Sequence, residues 1–225
     1  MAVTATPVFV QTPRLWTACI NNADASNWKV LYDGPASTAG GSANGTKIAS
    51  IVATSTDSTA RNVVLAVARK GSVTCTSASP GVFTWTGHNL SIGDQVFLGG
   101  TTVPSGFTAS VPYFVVAGGY VAGSAFELSA TIGGSAVNTA STGTSVVAYS
   151  VRPITTIPVA ITAGTDGSTA AAYFFNTTYS PGIPVDNDGQ PYIFMSDASD
   201  YLAISCTGTV TSAKIICVNA IGANF

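Results

Sequence analysis

Charge is what this chain has least of. Lys, Arg, Asp and Glu together make up 8% of its 225 residues, against about a quarter in ordinary soluble domains. The formal net charge is −2 and the sequence pI about 5.0. No basic stripe is present to neutralise phosphates, which argues against direct nucleic-acid binding. Histidine is down to one residue, His88, so no Cys/His zinc set can be completed. The four cysteines, Cys19, Cys75, Cys206 and Cys217, are scattered and form no C-x-x-C pair. They read as small apolar core residues with free thiols. A Cys206–Cys217 bond is the alternative if those two sit on neighbouring strands, and a cytoplasmic origin argues against it.

Long apolar runs are also missing. Mean hydropathy is +0.40, yet no stretch approaches the roughly 18 to 20 residues of a spanning helix, so no membrane partner is expected. Met1 to Gln11 lacks the basic n-region and apolar core of a secretion signal. A helical i, i+3, i+4, i+7 stripe with caps is nowhere sustained. Solubility has to come from Ser, Thr, Asn and Gly, and a surface so poor in charge is cheap to desolvate in an interface.

What is present is a series of short β-like runs with turn chemistry between them. The longest aliphatic run, Val63 to Ala68, lies in RNVVLAVARKG (Arg61 to Gly71) and suits a buried strand. A β-rich partner, SVVAYSVRP, spans Ser145 to Pro153. Between them lies a set of short strands with its own turns. The reading is an outer β-domain that pauses after Lys70, an inserted module, and a return near Arg152. That divides the chain into a discontinuous jelly-roll-like β-sandwich, residues 1–71 and 151–225, and an inserted small β-barrel or sandwich at 72–150. Such an insertion needs its two ends close together. Outside the insert, runs such as LWTACI, WKVLY, KIASIVAT, YLAISC and KIICVNA bring the strand count to roughly eight, which suits two packed sheets. TTIPVAIT holds Pro158 and reads as an edge or bulged strand; AAAYFF reads as a strand or a short helix.

Candidate sites are few. His88 and Asp94 flank HNLSIGD, which reads as a turn between strands rather than an acid–base pair. Asp186-Asn187-Asp188-Gly189 resembles part of a calcium loop, but Met195 stands where the loop's glutamate belongs, and a hydrogen-bonded turn is the better reading. The Gly-Gly pairs at 40–41, 99–100, 118–119 and 133–134 lack the helix of a phosphate cradle and read as turns. Trp16 and Trp28 read as core; Trp85 is the more exposed candidate of the three, with core still the better reading for it. The prolines around Pro7, Val8, Phe9 and Val10 favour an extended arm, with Phe9 and its valines as the partner-contacting part.

The segments TPRLWTACINNADASNWKVLYDGPAS, GSANGTKIASIVATSTDSTARNVVLAVARKG, ITTIPVAITAG and YLAISCTGTVTSAKIICVNAIGANF resemble a family of small tailed-bacteriophage virion proteins. Those share a T-P-[RK] start, an R-[IV]-x-x-I-like strand and a terminal G-x-[DN]-[FY], here Gly222 to Phe225. The resemblance covers Pro13 to Gly71 and Ile154 to Phe225. The insert, through FTWTGHNLSIGDQVFL, VPSGF, YFVV and FELSATIGGSAVN, is similar to a module found in phage structural proteins. The resemblance implies a non-enzymatic β-sandwich protein of the particle. It would be made in the host cytoplasm and act on the outer capsid surface as a decoration or cement protein. Its partners would be the major capsid protein and copies of itself, with no cofactor. The alternative is a tail-fibre or receptor-binding component that takes a cell-surface glycan through the insert. A glycan hydrolase would need a carboxylate pair and ranks last.

Overall fold

The computed structural model describes residues 12–34, 45–176, 178 and 182–224. Apart from one short 3-10 turn, Asn22–Asp24, every regular element among them is a strand. In chain order these are β1 (Thr12–Asn21), β2 (Lys29–Tyr32), β3 (Thr46–Ser55), β4 (Arg61–Ser72) and β5 (Thr74–Cys75). Next come β6 (Phe83–Thr84), β7 (Gln95–Gly99), β8 (Pro112–Val121), β9 (Ala125–Ser129) and β10 (Val147–Val159). The last four are β11 (Ala172–Tyr173), β12 (Ile193–Met195), β13 (Asp200–Cys206) and β14 (Ile215–Asn224). The AAAYFF run is thus a two-residue strand and not a helix.

The strands form two antiparallel sheets. One has the order β1-β14-β3-β11, with β12 also pairing β3; the other runs β2-β13-β4-β10-β7-β8-β9-β6-β5. The pairings nest: β1 with β14, β2 with β13, β3 with β11 and β4 with β10. One long hairpin, bent so that β1 to β4 alternate between the sheets and β11 to β14 return with β13 alone in the larger one, gives this order. Its tip is the turn between β4 and β10, where residues 73–146 are placed.

β4 is an interior strand of the larger sheet, hydrogen-bonded to β13 on one side and β10 on the other. Its aliphatic run is buried on both faces, which is why it reads as continuous and not alternating. Val63 and Leu65 face the interior between the sheets, where they join Ile20, Ile48, Ile51, Leu202, Ile204, Ile216 and Val218. Ala66 and Ala68 face the other way and leave room for Trp28, Phe97 and Tyr201. Those aromatics continue through Tyr149, stacked on Phe97 at 4.4 Å and edge-on to Tyr201 at 5.2 Å.

The two ends of the insert meet on neighbouring strands: Tyr149 stands opposite Lys70, and Arg152 opposite Val67. The insert has its own core, built on Phe83, Val96, Leu98, Val115, Phe126 and Leu128. It is not a separately closed sheet, however. β7 pairs with β10 from Val147↔Gly99 to Val151↔Gln95, so hydrogen bonding runs on from the outer strands into the insert. Without β7, that edge of β10 would leave backbone groups unpaired. The expected boundaries near 71 and 151 therefore fall within β4 and β10. Beyond Val151 the β7 pairing ends, and there β10 carries Pro153, the register shift at Ile154, and Pro158. Proline's missing N–H costs little along such an edge.

The cysteines correct the reading of four free thiols. Cys19 and Cys217 are directly opposed on β1 and β14, with Cα atoms 4.0 Å apart, and form a disulfide. Cys206 lies on β13 in the other sheet, facing the interior, and is free, as is Cys75. The pairing joins the first described strand to the last, a relation that cysteine spacing does not encode.

One buried charge clasps the end of the sandwich. Asp57 is fully buried in the turn between β3 and β4 and accepts hydrogen bonds from Arg61 Nε at 3.0 Å and Thr211 Oγ1 at 2.5 Å. The backbone N–H groups of Thr59 and Thr211 add to these at 3.2 and 3.3 Å. Burial pushes its pKa up, but the bonds from Thr211, Arg61 and Thr59 outweigh that and hold the carboxyl at about 2. A depressed folded-state pKa means stability that is full above the unfolded value of about 3.9 and lost as pH falls through about 2. Acid titration of the wild type should show this loss between about pH 4 and 2. Asp57→Ala, which strands Arg61, should cost about 3 kcal/mol at neutral pH and flatten that part of the acid profile. A second expectation concerns the disulfide, which closes a loop of 198 residues' separation. Loop-closure entropy sets its contribution at up to about 5 kcal/mol. Cys19→Ala/Cys217→Ala should lower the denaturant midpoint accordingly, and an unchanged midpoint would show that the bond contributes nothing.

Candidate functional site

His88 and Asp94 make no hydrogen bond to each other. His88 is buried, its Nδ1 accepts from the Leu90 N–H at 3.3 Å, and its Nε2 has no partner. Its neighbours are rings: Phe126 edge-on at 5.4 Å, Tyr120 at 6.1 Å and Trp85 at 6.3 Å. Asp94 is engaged elsewhere, by the Ser91 N–H at 2.9 Å and by Arg152 at 3.4 Å. The free thiols are no better placed: burial pushes Cys75 up to about 11 and raises Cys206 as well, which leaves both protonated at neutral pH.

The Asp186 loop is the hydrogen-bonded turn expected of it. The Asp186 carboxylate accepts from the N–H groups of Gln190 at 2.9 Å and Asp188 at 3.1 Å and pairs with Lys47 at 2.8 Å. Lys47 first, then the Gln190 N–H, holds this carboxyl below the usual range. Asp197 and Asp200, the nearby oxygen donors, are taken up by Arg69 at 3.1 and 3.5 Å. Among the described residues no cluster of three His, Cys, Asp or Glu side chains could hold a metal ion. Trp28 is buried and donates to Gln95 Oε1 at 3.0 Å. Trp16 is half-buried against the core and Tyr32. Trp85 is half-buried too and lies on Gly71, where an added Cβ would meet the indole Nε1 at 2.1 Å. That packing explains why residue 71 carries no side chain. Pro7, Val8, Phe9 and Val10, the expected docking arm, lie outside the described residues, as does the Gly40-Gly41 pair.

The broad apolar feature of the outer domain is the solvent face of the five-stranded sheet. Alternation along β1 and β14 sends Trp16, Ala18, Ile20, Ile216, Val218 and Ala220 into the core. The opposite face carries Leu15 paired with Ile221, Thr17 with Asn219, Cys19 with Cys217, and Asn21 with Ile215. Leu15 is 64% exposed, Ile221 52% and Ile215 42%. Thr17 Oγ1 donates to Asn219 Oδ1 at 2.7 Å, so two polar side chains satisfy each other on the surface. Val52 and Tyr173 extend the face across β3 and β11, and exposed Phe194 adds to it beside Lys47 on β12. Ser50 and Thr54 of β3 stand opposite Ile221 and Cys217, so the face mixes exposed aliphatic side chains with uncharged polar ones, and exposed apolar patches mark interaction sites more often than chance. The sequence reading missed it because LWTACI and KIICVNA were taken whole, whereas their two-residue period already separates Leu15 and Ile221 from Trp16 and Ala220.

Compared with protein-family models, curated proteins and solved structures, the chain matches none.

The face assignment has a direct check by chemical denaturation. Leu15→Lys/Ile221→Lys should change stability by no more than about 1 kcal/mol, the range of exposed strand substitutions. Ile20→Ala or Ile216→Ala, one residue out of phase, should each cost about 2 to 5 kcal/mol.

Proposed function

We propose that this is a non-enzymatic structural protein of a bacteriophage particle that coats the outer capsid surface as a decoration or cement protein. The observation that carries the reading is the charge-poor outer face of the five-stranded sheet, where exposed aliphatic side chains stand among uncharged polar ones. We read the nested strand order as that of a jelly roll, a framework that presents such a face rigidly. The resemblance of residues 13–71 and 154–225 to small virion proteins points the same way. Cementing is mass action: a protein that binds only the assembled shell stabilises it. It calls for wide contact with little desolvation cost, which a surface of Ser, Thr and aliphatic side chains supplies.

Magnitudes limit how this works. Three ten-residue strands at about 4.8 Å spacing and 3.4 Å rise present roughly 500 Å². A stable interface takes about 800 Å² from each partner. One face therefore falls short, and shell binding needs further contact from neighbouring copies or from the segment that precedes β1, including Phe9. The disulfide fits a protein that acts outside the reducing cytoplasm in which it is made. The glycan-binding alternative has less behind it, since Trp85 spends its ring on Gly71 rather than offering it for stacking.

Immunogold labelling of intact virions should place the protein on the head, and label confined to the tail would overturn the reading. On the same particles, Leu15→Lys/Ile221→Lys and a chain lacking residues 1–11 should each lower capsid occupancy at least tenfold. Unchanged occupancy for the first would remove the sheet face from the interface, and for the second, the arm.

A further inference from the structure

Glu127 is the only glutamate in the chain, and its position is unlike that of the other acidic residues. Seven of the nine aspartates pair with Lys or Arg. Glu127 is 8% exposed on β9, opposite Val116 of β8, and among the described residues no side chain or backbone N–H pairs with or donates to its carboxylate. Among the described residues the single wholly enclosed side-chain polar atom without a partner is His88 Nε2. The two Glu127 oxygens, also without a partner, therefore keep an opening to solvent. That opening is a groove of about 580 Å³ on the insert.

The groove's walls are apolar apart from this carboxylate. Ile92 and Ile132, exposed by 57% and 72%, stand on its sides, with Val116, Ala117 and Ala136. Gly118 and Gly119 lie in a register shift of β8, not in the turn their sequence suggests. A Cβ on Gly119 would sit 2.4 Å from Glu127 Oε1, and one on Gly118 3.0 Å from Oε2. The two glycines thus make the space that the carboxylate occupies. Phe126 and Leu128, its neighbours in β9, are fully buried on the opposite face. An unpaired carboxylate is expensive to hold in apolar surroundings, and nothing in the insert's packing requires one there.

We infer that the groove binds a lysine side chain of a partner protein, its ammonium on Glu127 and its methylenes along Ile92 and Ile132. A single acceptor group in an apolar trough complements one positive charge on an unbranched apolar stem. A glycan would call for an aromatic platform and several hydrogen-bonding side chains, and the lining has neither. The inference does not rest on the capsid reading and holds or fails without it.

The test is an amide chemical-shift titration of the full chain with N-acetyl-lysine methylamide. Saturable shifts are expected at Gly118, Gly119, Gly133 and Gly134, with a Kd on the order of 1 mM. Glu127→Gln, which keeps the shape, should weaken binding at least tenfold. Ile132→Ala, on an exposed wall that leaves the fold alone, should weaken it severalfold. N-acetyl-norleucine methylamide, with the stem but no charge, should not saturate. Equal binding of the norleucine probe, or undiminished binding by Glu127→Gln, would overturn the assignment. Tighter binding of N-acetyl-arginine methylamide would overturn the choice of lysine, and tighter binding of spermidine would overturn a protein as its source.

Discussion

The antiparallel pairing of β4 with β10 is the contact on which the rest of the structure depends. Its twelve-residue register, from Val147↔Ser72 to Val159↔Arg61, does two jobs along its length. At one end it belongs to the part of the larger sheet that covers the smaller one, and carries Val63 and Leu65 into the main core. At the other it presents the edge on which β7 builds the insert. Ala66 and Ala68 mark the change-over, because their small side chains admit the aromatic seam of Trp28, Phe97, Tyr149 and Tyr201. Ordering a hairpin whose arms are more than seventy residues apart is entropically costly. The insert's own core offsets that cost by holding the two arms in register.

How much of this was legible in the sequence depended on the range of the interaction. Local signals were read well: the aliphatic run of β4, the proline-marked edge of β10 and the Asp186 turn all follow from short-range rules. Long-range relations were not. Cys19 and Cys217 are opposed only because the nested order brings β1 against β14, and nothing in either segment says so. The turn expected at Gly118-Gly119 failed for a related reason. The glycines answer to a side chain on the neighbouring strand, not to a reversal of the chain. Glu127 did leave a trace in the sequence, a lone acid in the apolar strand AFELS, and its meaning became clear only when its lack of a partner was seen.

Scarcity of charge changes what each ionic residue means. Six of the eight Lys and Arg side chains are ion-paired, and several of these pairs tie loops together: Asp57 with Arg61 and Thr211, Lys47 with Asp186, Arg69 with Asp197 and Asp200. The buried Asp57 pair apart, such surface pairs each contribute little, but they leave broad areas between them without formal charge. The outer face of the five-stranded sheet is one such area. A protein with an average surface could not leave three strands so bare without mixed charges to keep them apart from their neighbours.

The nested order also sets how the molecule answers to mechanical load. Thr12 stands opposite Asn224, so tension applied to the chain outside these two residues peels β1 from β14 one rung at a time, the weakest geometry for a sheet. Seven rungs in, peeling reaches Cys19 and Cys217 and stops at a covalent bond. Beyond that staple the sandwich, its insert and the hairpin that joins them are shielded from force applied at these two ends.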